Sequence, residues 1–306
     1  MPTLTPRQAT VLGALAIVLW SFSVAVARRI SEDIGGVTTA AVVYVLGALL
    51  CAVVQFLRER RLPDPRRFSA RYLLVCGALF VACLSTFYLA IGMATDRLQL
   101  LEIGLVNYLW TVLTVLFAVP LLGKRARPWL PVGLLLGVLG IALVITQGGG
   151  LSAAGLLHNV LSNPAAYGLA FAAALSWALY SNLCRRWGAA NGDGAVALFM
   201  LATGIVLLGL RPLVCEPANW SPRTVIEVVF LASTSTLGYA LWDIGIRRGD
   251  FILLSATSYF TPLLSTLVSC LYLQVMPGAK LWIGCALLIV GAVLSRASVT
   301  DQEAAD

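Results

Sequence analysis

The chain has 306 residues, of which 59% are hydrophobic and only 11% charged, with a formal charge of +7. A soluble domain carries about a quarter charged residues, so this composition, with a mean hydropathy of +0.90, excludes a disordered segment, a secreted disulfide scaffold and a water-facing enzyme. The apolar stretches are continuous rather than alternating, which also excludes a β-barrel and leaves an all-α, polytopic membrane protein.

In chain order, ten apolar runs are long enough to cross a bilayer, which takes about 20 residues. They cover 10–27, 37–57, 72–92, 98–121, 129–146, 165–184, 194–213, 224–246, 251–273 and 279–297. The links are short, so no extramembrane domain is expected. The first run follows Arg7 and ends on Ala25-Val26-Ala27, in the manner of a signal peptide, but it has an internal copy and is kept as a span. No Lys or Arg falls clearly inside a span, and Glu102, Glu227 and Asp243 are the acids within them.

The basic residues fill the gaps between spans, so they report topology rather than nucleic-acid binding. With the N-terminus inside, the inner segments collect fifteen Lys and Arg against six outside. The inner clusters include Arg58–Arg71, Lys124–Arg127, Arg185-Arg186 and Arg247-Arg248. Both termini are therefore expected in the cytoplasm. The link 147–164 has neither Lys nor Arg and falls outside. The seven cysteines form no CxxC pair and read as small packing residues.

The two halves resemble each other. A shift of 157 places Trp20 on Trp177, Arg28-Arg29 on Arg185-Arg186, Ala9 on Ala166, Ala16 on Ala173 and Gly47 on Gly204. A shift of 151 places Tyr108 on Tyr259, Gly133 on Gly284 and Gly140 on Gly291. The expected units are 1–147, an outer connector 148–164, and 165–306. Five spans per unit is an odd number, so the second copy inserts upside down, the arrangement of alternating-access transporters.

These residues carry a family resemblance over nearly the whole chain. The first spans of the halves hold Trp20-Ser21 and Trp177-Ala178, the ninth Ser258-Tyr259-Phe260-Thr261-Pro262, and the fourth Glu102-Ile103-Gly104-Leu105-Val106-Asn107-Tyr108-Leu109-Trp110. The chain resembles two EamA-type halves of the drug/metabolite transporter superfamily, and within it the aromatic amino-acid exporters. The resemblance implies export of neutral, aromatic and other hydrophobic amino acids across a bacterial inner membrane. It departs at Thr111, the repeat partner of Pro262, so the first half is expected to lack the break that Pro262 makes.

Pro262 removes the hydrogen bond that the Ser258 carbonyl would accept. Ser255, Ser258, Tyr259, Pro262, Thr266 and Ser269 share one helix face, which the repeat carries to Gly104, Asn107, Tyr108 and Thr111. Both faces are expected to line a central cavity; the other reading is hydroxyl back-bonding with close helix packing. Trp20, Trp110 and Trp177 sit near span middles, where an interfacial belt does not explain them. They are either lipid-facing bulk or inward walls, with Ser23 and Tyr180 on the faces of Trp20 and Trp177. Tyr88, Tyr239 and Trp242 add aromatic surface. An aromatic cavity suits an apolar solute carrying an ammonium, and the lack of a cation at depth disfavours phosphorylated solutes.

The expected substrate-binding set is Trp20, Ser23, Tyr88, Asn107, Tyr108, Trp110, Trp177, Tyr180, Tyr239, Ser258 and Tyr259. Glu102 and Asp243 are candidates for proton coupling. Glu102 lies about a turn inside its span and could instead reach water, and Asp243 is spaced to pair with Arg247. No metal or cofactor is expected; the partners are an amino-acid substrate and the bilayer, with no nucleic acid, and the chain is read as a monomer. The competing functions are a multidrug or metabolite exporter of the same fold and an intramembrane enzyme. The enzyme has little to work with: His158 is the one histidine, and no HExxH or Gly-x-Ser-x-Gly is present.

Overall fold

A computed structural model describes residues 4–95, 97–145, 153–188, 195–272 and 278–300. The helices are α1 (Pro6–Ile34), α2 (Gly36–Glu59), α3 (Gly77–Gly92), α4 (Arg97–Leu122), α5 (Leu130–Ile145), α6 (Ala153–Ser162), α7 (Pro164–Gly188), α8 (Ala195–Leu210), α9 (Pro222–Arg248), α10 (Phe251–Thr257), α11 (Phe260–Tyr272) and α12 (Ala279–Ser298). Among the described residues, six segments are long and apolar enough to cross a membrane: Gly36–Leu57, Tyr72–Gly92, Glu102–Leu122, Ala195–Leu213, Pro222–Arg248 and Ala279–Ser298. Their outward faces are apolar. On α1, Val11, Leu15, Val18 and Phe22 form an exposed stripe while Ala9, Ala16 and Ile17 are buried. Such a belt exceeds what a soluble monomer shows to water.

Capping residues set the helix ends. Thr5 and Gln8 close a capping box at the start of α1, with Pro6 in the first turn. Gly35 stops α1 at φ +86°, a region open to glycine, and a Cβ there would lie 2.3 Å from the Glu216 side chain. The Glu216 carboxylate in turn accepts from Val37 N at 2.7 Å and Thr38 N at 2.9 Å, capping α2 from a distant link.

Inside lipid, helices are drawn together by close packing rather than by water, and glycines mark the contacts. The pair α5–α12 meets where a Cβ on Gly291 would lie 2.7 Å from Gly137 N and one on Gly140 2.9 Å from the Gly284 carbonyl. The pair α1–α9 touches at Gly13 and Gly245, and α2–α8 at Gly47 and Gly204. The other main pairings are α3–α7, α4–α7, α2–α9, α3–α8 and α1–α11.

Several local features depart from the sequence reading. The ninth run is two helices, α10 and α11, separated at Ser258-Tyr259. The break falls where Pro262 requires it, but the Ser258 carbonyl is not left free, because Thr261 N donates to it at 3.0 Å. α4 passes unbroken through Thr111, in agreement with the sequence reading, and its proline is Pro120 near the far end. The connector holds a helix, α6, and α3 is preceded by a π-helical turn over Tyr72–Cys76. A two-residue strand β1 (Arg125–Ala126) pairs antiparallel with β2 (Val299–Thr300).

One end of the bundle gathers most of the basic links. There Arg71 lies 4.2 Å from the Trp187 ring, Arg296 pairs with Asp250 at 2.8 Å, and Asp250 N donates to Thr10 Oγ1 at 2.8 Å. At the other end Arg29 pairs with Glu227 at 2.7 Å and Thr224 Oγ1 donates to Asp33 at 2.9 Å.

Candidate functional site

The middle of the bundle is filled by aromatic rings from seven helices, with α8 contributing Phe199 at 5.9 Å from Phe80 of α3. Four tryptophans form a closed ring: Trp20 of α1 lies 5.8 Å from Trp177 of α7 and 5.5 Å from Trp242 of α9, and Trp110 of α4 lies 6.1 Å and 5.7 Å from the same two. Trp177 and Trp242 are stacked at 6.4 Å. Around them sit Tyr180 at 5.2 Å from Trp177, Tyr239 at 5.3 Å from Trp20, and Phe80 at 6.0 Å from Trp177. Tyr44 continues the cluster, its hydroxyl 3.1 Å from that of Tyr239 and its ring 6.3 Å from Tyr88. The sequence builds this with bulk on one side and small residues on the other. α7 presents Ala166, Ala170, Ala173, Ala174 and Ala178 on its buried face, which lets α3 and α4 come close. Gly238 does the same for Trp20, since a Cβ there would meet the indole Nε1 at 2.6 Å.

The polar atoms of this region are unusual. The indole nitrogens of Trp20, Trp177 and Trp242 are buried without a hydrogen-bond partner, as are the hydroxyls of Ser85 and Ser181 and the Oδ1 of Asn182. Asn182 Nδ2 is engaged, donating to the Thr114 carbonyl at 3.0 Å and the Ala178 carbonyl at 2.9 Å. Most buried polar groups are paired, and leaving one unpaired costs about 1–3 kcal/mol. Three such donors lie on adjoining rings.

Of the residues expected from sequence, Trp20, Tyr88, Trp110, Trp177, Tyr180 and Tyr239 come together here. Tyr108 and Tyr259 do not. They pack in a second cluster with Ile141, Val144 and Leu288, against the α5–α12 pair. Ser258 is fully buried, but its hydroxyl donates to the Ser255 carbonyl at 2.6 Å, and that of Ser255 to the Phe251 carbonyl at 2.7 Å. Asn107 is half-buried on α4. The Ser23 side chain, like those of Thr266 and Ser269 in the polar stripe, lies outside the described residues. Tyr44, Phe80, Phe199, Ser181 and Asn182 were missed. Ser181 and Asn182 were legible in principle as polar residues a turn beyond Trp177; Tyr44, Phe80 and Phe199 join only through tertiary packing.

Glu102 does not reach water. It is fully buried, accepting from Asn159 of α6 and from the Tyr167 hydroxyl of α7. Asp243 pairs with Arg247 at 2.6 Å, and both are buried. A cation therefore does lie inside a helix, contrary to the sequence reading, since α9 runs on to Arg248; the Asp243 carboxylate balances its charge. Among the described residues, no three His, Cys, Asp or Glu side chains come together as metal ligands.

Towards the basic end, a cleft of about 520 Å³ is lined by Pro120, Leu121, Leu122, Gly123, Lys124, Arg185 and Arg186. A second, of about 200 Å³, shares Lys124 and Arg185 and is completed by Asp250, Phe251, Ile252, Arg296 and Val299. Trp110 and Trp177 sit on the two helices flanking the first cleft, eight to ten residues deeper, or about 12–15 Å.

Comparison with known proteins gives these features a context. The EamA-like transporter family matches residues 8–146 and again 164–297. The aromatic amino acid exporter YddG of Salmonella typhimurium is 37% identical over 95% of this chain and 97% of its own length, and that of Escherichia coli K12 is 35% identical over the same shares. A third YddG, from Ancylobacter novellus, is 31% identical over 94% of this chain and 96% of its own. A solved crystal structure at 30% identity superposes with a TM-score of 0.78, covering 95% of this chain and 98% of the other. With its apolar helices, the chain is thus a multi-pass membrane transporter and not an enzyme, and it belongs to the EamA-like transporter family.

Proposed function

We propose that this chain exports neutral amino acids, aromatic and other hydrophobic ones, from the cytoplasm by alternating access, with the tryptophan ring as its substrate site. The observation that carries this is the set of three unpartnered indole N–H donors inside a closed aromatic cluster. A carboxylate accepts from them, an ammonium takes Asn182 Oδ1 and the ring faces, and the side chain packs edge-on against Tyr180 and Tyr239. Export, rather than uptake, follows the names of the relatives. Trp20, Tyr88, Trp110, Trp177, Tyr180, Tyr239 and Trp242 form the site, and Ser23, three positions after Trp20 in the chain, remains a candidate for it. Asn107, Tyr108, Ser258 and Tyr259 belong to the helix–helix scaffold, and Asp243 to an ion pair.

In this reading ten spans form two inverted repeats, 1–147 and 165–306, joined by 148–164. The helix pairings support it. Exchanging each helix for its counterpart (α1 for α7, α2 for α8, α3 for α9, α4 for α10–α11, α5 for α12) turns α1–α9 into α7–α3, α4–α7 into α11–α1 and α2–α9 into α8–α3, while α2–α8 and α5–α12 map onto themselves. Repeat mates Trp20 and Trp177 touch, as residues beside a two-fold axis must. The basic links and both termini face the cytoplasm of a bacterial cell, in its inner membrane, and the working unit is one chain. The cleft at Lys124, Arg185 and Arg186 is then the inner mouth.

The test is a transport panel in proteoliposomes. Radiolabelled tryptophan, phenylalanine and tyrosine are expected to cross, and to compete with one another. Movement of sugars, sugar phosphates or lipophilic cations in their place would overturn the assignment, the last favouring a drug exporter of the same fold.

A further inference from the structure

The short helix α6 lies at the end of the bundle away from the basic links, where α4 and α7 begin, and its polarity is the reverse of a water-facing helix. Its asparagine faces the protein: Asn159 Nδ2 donates to both oxygens of Glu102 on α4, at 3.2 and 3.1 Å. Asn163, the residue between α6 and α7, donates through Nδ2 to Gln99 Oε1 and to the Met93 carbonyl, each at 2.9 Å. The leucines face away, Leu157 being 60% and Leu161 72% exposed. A helix packed on a soluble protein turns its leucines inward and its polar side chains to solvent. The exposed half of α6 is itself divided. With about 100° between successive residues, Ala154, Leu157 and Leu161 share an arc of about 60°, and the exposed His158 and Ser162 fall together on the arc beside it. Gly155, Leu156, Asn159 and Val160, all half-buried, make up the protein side. The height is also set. The apolar span of α4 begins at Glu102, so α6 docks where that span reaches the edge of the hydrocarbon.

We infer that α6 is a membrane anchor lying along the bilayer surface, with the phospholipid leaflet as the partner of its Ala154, Leu157 and Leu161 face. Three sectors, one apolar, one polar and one bonded to the protein, suit the line where hydrocarbon, water and protein meet. A helix in that position sinks its apolar side about 5–10 Å into the boundary between headgroups and acyl chains. Hydrocarbon offers no hydrogen bond, which is why the asparagines are spent on α4 and the α3–α4 link rather than on the outward face. A second copy of the chain fits this face poorly. Ten residues make a helix about 15 Å long, and a strip of that length and about 10 Å width is roughly 150 Å², against about 800 Å² per partner in a stable protein interface. The inference goes beyond the transport reading and does not depend on which solute is carried. Because Asn159 and Asn163 bond to α4 and the chain runs from α6 straight into α7, the anchor ties the beginnings of the helices that carry Trp110 and Trp177 to the surrounding leaflet.

The experiment places an environment-sensitive fluorophore on single cysteines, Leu161→Cys and Ser162→Cys, in a chain whose exposed Cys215 is replaced by Ser, with the Cys215→Ser chain alone as the labelling blank. The proteins are reconstituted in phosphatidylcholine and phosphatidylglycerol vesicles. At 161 the emission is expected to be lost to phospholipids carrying a nitroxide on the acyl chain and kept in aqueous iodide; at 162 iodide is expected to quench it. Iodide quenching of both positions alike overturns the inference and puts α6 in water. Protection of position 161 from both quenchers also overturns it, in favour of a protein cover, a second copy included. Should Leu161→Cys fail to fold, the wild-type protein decides: a phospholipid with a diazirine on its acyl chain is expected to leave adducts within 153–162 on irradiation, and adducts on the spans with none on α6 overturn the anchor. Neither readout requires an amino acid to move, so failure of the substrate assignment and failure of the anchor are told apart.

Discussion

At the residue scale, the indole nitrogens separate binding from packing. Trp177→Phe keeps an aromatic ring beside Tyr180 and Trp242 but deletes one unpartnered donor. A hydrogen bond to a charged acceptor is worth about 1.5–3 kcal/mol, so KM for tryptophan should rise about ten- to a hundredfold, with the yield of folded protein unchanged. An unaltered KM in the proteoliposome assay would make the ring a packing element. Trp20 and Trp177 were legible in the sequence because both stand at mid-span and match under the proposed repeat. Tyr44 and Phe199 were not, since nothing in the pattern of α2 or α8 distinguishes a ring that faces the centre from one that faces lipid. The burial of Glu102 was not legible for a related reason: the residues that enclose it, Asn159 and Tyr167, are more than fifty positions away.

At the element scale, the C-terminal end of α9 is held by charge. Arg247 pairs with Asp243 and donates to the Gly188 carbonyl at 3.3 Å, while Arg185 Nη1 donates to the Arg247 carbonyl at 2.7 Å. Removing one member of a buried pair strands the other, at a cost of about 3–5 kcal/mol. Asp243→Asn should therefore lower the melting temperature in detergent sharply, and the double change Asp243→Leu with Arg247→Met should recover most of it. A single variant as stable as wild type would mean that the Arg247 charge is balanced elsewhere. Helix positions were readable from apolar run length, and the break before Pro262 from its missing N–H. The helix inside the connector was not. Its ten residues are too few for a span, and Leu157 and Leu161 are exposed, so α6 is defined by where it docks rather than by its own pattern.

At the scale of the whole molecule, topology is open to a direct chemical test. Cys215 is the exposed free cysteine among the described ones, in the link between α8 and α9 that also reaches α2 through Glu216. The proposed orientation puts it outside, so a membrane-impermeant maleimide should label it in intact cells. Labelling only after permeabilisation would reverse the orientation. The proposed repeat is carried in sequence by Trp20 on Trp177 and Gly47 on Gly204. What sequence could not supply is that such mates meet in space, because an alignment of halves carries no information about where their shared axis runs.

The contact between Gly13 and Gly245 has a mechanical side. Here α1 and α9 touch main chain to main chain, with a Cβ on Gly245 only 2.7 Å from the Gly13 Cα. Seven residues further along each helix, Trp20 rests on Gly238, about 10 Å away at 1.5 Å per residue. A crossing of bare main chain, with the Leu254 side chain seated beside it, acts as a fulcrum. A tilt of about 5° there swings the indole sideways by about 1 Å over that lever arm, enough to loosen a ring packed at van der Waals distance.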